Sequence, residues 1–238
     1  MISQNEIDEV FRRPAVREVA CEIRFAPRLR VVPEIWRVQD KLAEAYPQLG
    51  EEELSLPGLR PVRTYVFANP ADQRMIKISQ ENCVVIFNRY TTFEDFKAEA
   101  VARISDFSRQ FDIANYQRVG LRYVNHLDLA PEDPLGALQI YVNLPVDLGR
   151  FDRGTMEQFM TEFRLQVRAH KLTIRSAFVR VPTPPQQMLY ILDLDCYGFG
   201  PCTPSVLPNL LDEFHREIQI QFLEHVRAEY KRIMRGNE

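Results

Sequence analysis

Short apolar and polar residues alternate repeatedly along this chain, and that alternation restricts the fold more than any other feature. Val19, Cys21, Ile23 and Phe25 fall on one side of an extended segment, while Ala20, Glu22 and Arg24 fall on the other. The same period of two returns in 117–129, where Val119, Leu121 and Tyr123 oppose Arg118, Arg122 and His126. It returns again in 163–168, where Phe163, Leu165 and Val167 oppose Arg164, Gln166 and Arg168. Successive side chains of a strand point to opposite faces, so each run makes a strand with one apolar and one polar face. Strands of a parallel sheet sandwiched between helix layers are apolar on both faces, so one-sided strands specify an antiparallel sheet covered on one side.

Three further runs, 62–68, 75–79 and 83–90, are separated by Asn69-Pro70-Ala71-Asp72 and Gln80-Glu81-Asn82, the turn chemistry of a meander. Helical spacing lies between the strands. Pro33 opens a segment striped by Ile35, Trp36, Leu42, Ala43 and Tyr46, which Pro47 ends, and residues 48–61 read as a loop. Thr92 offers an N-cap with Glu94 and Asp95 in the first turn, ahead of Phe93, Phe96, Ala100, Ile104, Phe107 and Phe111 at helical intervals. After His170-Lys171 the apolar parity flips to Leu172, Ile174 and Phe178, as across a tight antiparallel hairpin, although Met156, Phe159, Phe163 and Val167 also fit a helix. Residues 182–187 (PTPPQQ) make a turn, and Met188–Phe199 the next strand. Thr203-Pro204 then opens a helix whose stripe runs unbroken from Leu207 to Ile233, about 40 Å if continuous.

This order reads as α+β: mainly antiparallel sheet or sheets, covered on one face by helices, with a long C-terminal helix. Residues 1–14 read as a loose arm, and 130–136 (APEDPLG) as a linker. The expected lobes are 1–130, an N-terminal α+β lobe, and 131–238, a strand meander plus the long helix; the two can also pack as one continuous domain.

Several functions are argued against. The net charge of −3 gives no global field toward nucleic acid or an anionic membrane. No run approaches a membrane span and no leader precedes the first strand, so the expected location is cytoplasmic. Cys21, Cys83, Cys196 and Cys202 form no C-x-x-C pair and read as reduced thiols. Gly149 and Gly154 have P-loop spacing, but no Lys precedes Thr155 to neutralise phosphate. The dinucleotide, nucleophile-elbow and zinc-protease motifs are missing, and no cofactor is expected.

Two constellations remain. Asp193 and Asp195 sit at i and i+2 of a strand, so both carboxylates project to one face, the arrangement that holds a divalent cation in some phosphoryl-transfer enzymes. Arg24, Arg118, Arg122, Arg164, Arg168 and Arg175 fall on the polar sides of their strands together with Glu22, Asp193 and Asp195, which predicts a mixed arginine and carboxylate lattice. Exposed, such a lattice is a solvated surface; enclosed, it signals a polar ligand or a partner. His215 and His225, on the last helix, read as partly buried flank residues, and His126 and His170 as strand-end residues that nothing in the sequence orients.

The segments Arg118-Val119-Gly120-Leu121-Arg122-Tyr123-Val124-Asn125, Leu192-Asp193-Leu194-Asp195, Glu18–Phe25 and the helix around Phe214-His215 resemble a sporadically distributed family of uncharacterised bacterial proteins of about this length. The resemblance implies a stand-alone cytosolic protein. Through the patchy distribution typical of mobile and defence genes, it also implies an association with defence. It supplies no activity, cofactor or catalytic residue.

With no complete catalytic constellation, the expected function is non-enzymatic recognition of a protein partner or a small polar ligand, a second copy of the chain included. Glu22, Arg24, Arg118, Arg122, Arg164, Arg168, Asp193 and Asp195 are the candidate binding residues. The alternative is a metal-dependent phosphoryl-transfer enzyme or nuclease using Asp193 and Asp195, and a third reading is metal-independent RNA cleavage by His126 or His170.

Overall fold

The structure, a computed structural model, describes residues 4–7, 9–54, 62–130, 132–144, 156, 158–181 and 187–236. Its strands are β1 (Val16–Arg24), β2 (Gln48–Leu54), β3 (Val62–Asn69), β4 (Arg74–Ile78), β5 (Asn82–Phe87), β6 (Tyr116–Asp128), β7 (Phe159–Val167), β8 (His170–Val181) and β9 (Gln187–Cys202). Its helices are α1 (Gln4–Ile7), α2 (Ile35–Leu42), α3 (Phe93–Gln110), α4 (Pro134–Tyr141), α5 (Leu207–His225) and α6 (Ala228–Arg235). The strands form one antiparallel sheet in the order β2-β3-β4-β5-β1-β6-β9-β8-β7, with α5 packed on it, which is the α+β architecture the alternation specifies. By contact density the chain divides into two compact units, one of residues 18–122 and 197–214, the other of 1–17, 123–196 and 215–238.

In the 18–122 unit the register sets Ile23 opposite Cys83, Cys21 opposite Val85, and Ile76 opposite both Phe67 and Val85. All six side chains are buried and all belong to the apolar parity of their strands. α3 covers them: Phe96 meets Phe87 edge-on at 5.2 Å, and Phe107 lies 5.7 Å from Phe25. The cap is as the sequence predicts, Thr92 accepting a hydrogen bond from the Asp95 amide. One expectation fails here. Residues 48–54, expected in a loop, form β2, paired along its whole length with β3. The run Glu51-Glu52-Glu53 erases the alternation, because an edge strand can expose charge on both faces; Lys77 binds Glu52 at 2.9 Å.

In the 123–196 unit β7 and β8 form the expected tight hairpin, with Val167 opposite His170. Its turn places Arg168 in the left-handed region at φ 53°. Leu172, Phe178, Leu192, Leu194, Ile218 and Phe222 are buried. The expected unbroken C-terminal helix is interrupted after His225. Val226 forms a bridge with Val142, and the Arg227 amide donates to the Tyr141 carbonyl at 2.7 Å, so a distant strand-like contact replaces the next helical bonds. Part of the expected linker is also helix: α4 starts at Pro134, capped by Asp133, whose carboxylate accepts from the Gly136 amide at 2.9 Å. The expected loose arm is tied down where it is described. Arg13 donates to the Met234 carbonyl at 2.9 Å, and Arg235 grips both carboxylate oxygens of Glu9 at 2.6 and 2.7 Å. That hydrogen-bonded guanidinium holds the Glu9 carboxyl below its ordinary pKa. The P-loop-like spacing at 149–155 lies outside the described residues, as does the turn at 182–187 except for Gln187.

A chain of polar groups crosses the interior of this unit. Thr161 and Ser176 hydroxyls lie 2.6 Å apart, Ser176 hydrogen-bonds Tyr190, and the Tyr190 hydroxyl lies 2.7 Å from His225 Nε2. Burial lowers the His225 pKa to about 4, so the ring stays neutral and can accept the phenol proton. An unfolded histidine titrates near 6.5, so as pH falls below that value the unfolded chain binds a proton the native chain refuses, and stability declines until the native pKa is reached. Stability should therefore drop by roughly 2 kcal/mol between pH 6.5 and 5 on account of this ring. Urea unfolding at both pH values checks it: His225→Gln should flatten that slope, leaving the smaller same-sign contribution of His126, whose pKa burial and then Arg17 also lower.

Candidate functional site

Each unit carries part of the predicted lattice on the polar faces of its strands. In the 18–122 unit, Glu22 stands on β1 between two arginines. Arg24 donates Nε to its Oε1 at 3.0 Å, Arg118 on β6 donates to its Oε2, and Asn82 donates to Oε1 at 3.4 Å. The Arg118 guanidinium carbon lies over the Tyr197 ring, 4.6 Å from its centroid, and Phe199 meets Tyr197 edge-on at 5.4 Å. Exposure divides the cluster. The Arg118 and Glu22 side chains are only 13% and 19% exposed, whereas Arg24 is more than half exposed and Phe199 is 66% exposed. Arg122 sits farther along β6 with Glu18 at 3.7 Å. One carboxylate thus faces two guanidiniums, next to an aromatic side chain turned to solvent.

Gly120 explains how Arg118 can lie down on the strand. A Cβ at position 120 would fall 2.8 Å from Arg118 Nη1 and 3.1 Å from the guanidinium carbon. The missing side chain leaves room for the planar group in this pose, and a Cβ there would make the guanidinium shift.

In the 123–196 unit the register pairs Glu162 on β7 with Arg175 on β8. Arg175 donates Nε to Glu162 at 2.6 Å and Nη1 to Asp193 at 3.4 Å, and Arg164 reaches Glu162 at 2.8 Å. The hydrogen bond from Arg175 holds the Glu162 carboxyl below its ordinary pKa. Asp193 is buried with Arg175 beside it, and Asp195 is half-buried. Arg168 does not join this face. Its left-handed turn conformation swings it out of the alternation, 3.5 Å from the buried Glu217 of α5.

Among the described residues no three His, Cys, Asp or Glu side chains come together as a metal-binding group. His215 faces the Tyr123 hydroxyl at 3.1 Å and His225 faces Tyr190, so both histidines of α5 are held by buried tyrosines. The same unit as Glu22 also has a cleft of about 280 Å³ walled by Val38, Leu42, Ile76, Ile78, Cys83 and Phe107. Gln110 lines it too, and its Nε2 is buried with no hydrogen-bond partner among the described residues.

Tyr197, Phe199 and Gly120 are absent from the candidates drawn from sequence. The period of two that selects Asp193 and Asp195 continues to Tyr197 and Phe199, and Gly120 stands between two arginines of one face, so the signal was present in both cases. No protein-family model matches the chain, and no curated protein matches it in sequence. Function is therefore read from this geometry.

Replacing Gly120 by Ala should displace Arg118 and cost about 1 kcal/mol, comparable to the net worth of one ordinary hydrogen bond. In an Arg118→Ala background the same change should be neutral or slightly stabilising, since the clash is gone and alanine suits a strand better. Urea midpoints of the four proteins close that double-mutant cycle.

Proposed function

We propose that this chain is a non-enzymatic recognition protein that binds a polar ligand or partner group in which an anion adjoins a planar or aromatic surface. The observation that carries the reading is the sharing of one carboxylate, Glu22, by Arg24 and Arg118 beside the exposed Phe199. A guanidinium presents a planar fork of donors that suits a carboxylate or phosphate, and Arg24 turns its fork to solvent beside Glu22. Phe199, edge-on to Tyr197, supplies a ring face for stacking. Burial of Arg118 and Glu22 supports recognition over mere solvation, since charges largely withdrawn from water are less screened and respond more strongly to an incoming charge. The resemblance to a sporadically distributed bacterial family makes the bacterial cytosol and defence the setting in which to seek the partner.

The metal-dependent reading is less well supported. Asp193 already has a guanidinium at 3.4 Å, and a bound divalent cation would have to displace that positive charge or tolerate it.

A thermal-shift and titration screen with aromatic carboxylates and nucleoside monophosphates tests the proposal. At least one class should raise the melting temperature. Arg24→Ala and Phe199→Ala, both changes at exposed side chains, should each weaken that binding about tenfold while leaving the unliganded melting temperature nearly unchanged. Absence of any saturable ligand, or Mn²⁺-dependent phosphodiester cleavage abolished by Asp193→Asn, would replace this reading with the other.

A further inference from the structure

β7 lies at one end of the sheet and pairs with β8 alone among the described strands. Its outer edge carries backbone donors and acceptors over nine residues. Met160, Phe163 and Leu165 on this strand are 77%, 41% and 40% exposed. The opposite edge is different. β2 carries Glu51, Glu52 and Glu53 in succession, so a second β2 laid against it would meet like charge at close range. Among the described residues, one edge strand is guarded electrostatically and the other carries exposed apolar side chains.

We infer that β7 pairs antiparallel with β7 of a second copy of this chain, about a two-fold axis through Phe163. In this register Phe163 faces Phe163 of the second copy, and Thr161 faces its Leu165. Glu162 faces its Arg164, and by symmetry Arg164 faces its Glu162. The sequence Glu162-Phe163-Arg164 is thus self-complementary. Moving the axis one residue either way would set Glu162 against Glu162 or Arg164 against Arg164, and like charges directly opposite are destabilising. Arg164 is mostly exposed and already lies 2.8 Å from Glu162 of its own strand, so both charges of each pair are in place before the copies meet. Residues opposite one another in an antiparallel pair share a face, so the two Phe163 rings meet on the same side and bury apolar area that one copy leaves in water. A single strand per copy makes a small interface, which places the dissociation constant near the micromolar range. The inference is independent of the ligand reading.

Sedimentation velocity of the full chain from about 1 to about 200 µM, bracketing that range, should show a monomer–dimer equilibrium. Arg164→Glu and Glu162→Arg should each dimerise about tenfold or more weakly than the wild type, because each homodimer then opposes like charges twice. Mixed one to one, the two variants should recover the dimer, since each charge of one then faces its opposite on the other. Phe163→Cys, in a Cys202→Ser background, should form a covalent dimer under mild oxidation, whereas Met160→Cys should not. That second measurement stands even if Glu162→Arg upsets Arg175. A wild-type chain that stays monomeric throughout overturns the inference, as does an Arg164→Glu chain that dimerises unchanged.

Discussion

One-sided burial along the strands is the constraint from which the other features follow. Cys21, Ile23, Phe67, Ile76, Val85 and Phe87 share one parity, and Leu121, Leu172, Leu192 and Leu194 repeat it on the later strands. A sheet so patterned needs cover on a single face, which α3 and α5 provide with Phe96, Phe107, Phe214 and Ile218. The other parity is then free of core duty and can hold charge. Glu22, Arg118, Arg175 and Asp193 could not sit where they do if the strands were buried on both sides.

Charge on a strand face becomes a site only where something lifts it from the ordinary solvated surface. At Arg118 that something is the absence of a side chain at Gly120 together with the Tyr197 ring, which keep the guanidinium down and withdrawn from water. At Arg164 and Arg24 nothing comparable exists, and both groups stay largely exposed. The two clusters therefore differ in kind. In the Glu22 cluster one carboxylate accepts from both Arg24 and Arg118, whereas in the other Arg175 is set between two carboxylates, Glu162 and Asp193.

Most of the fold was legible because alternation and capping are local. Thr92, Pro134 and the parity flip near His170 all act within a few residues of themselves, although a helix of only eight residues at Pro134 leaves too little periodicity to stand out from a linker. What escaped depends on partners remote in sequence. The break after His225 needs Val142, the edge strand at Glu51–Glu53 needs β3, and the displacement of Arg168 needs a left-handed turn that an arginine only rarely adopts. Of the candidate site, the arginines and carboxylates could be read from parity, but their grouping into two clusters could not, since strand order is not written in any one strand. Tyr197 and Phe199 are hard to read from sequence, because an aromatic residue in a strand has the signature of core whether or not it faces water, as Phe199 does.

The positions of the cysteines have a practical consequence. Cys21 and Cys83 are wholly buried in the 18–122 unit and Cys196 in the 123–196 unit, and burial pushes the Cys21 and Cys196 thiols up to about 12. A thiol shut away from solvent and kept protonated reacts with an alkylating reagent only during the moments when its surroundings open. The molecule thus carries its own pair of chemical clocks, one in each half, able to reveal whether the halves breathe together or apart.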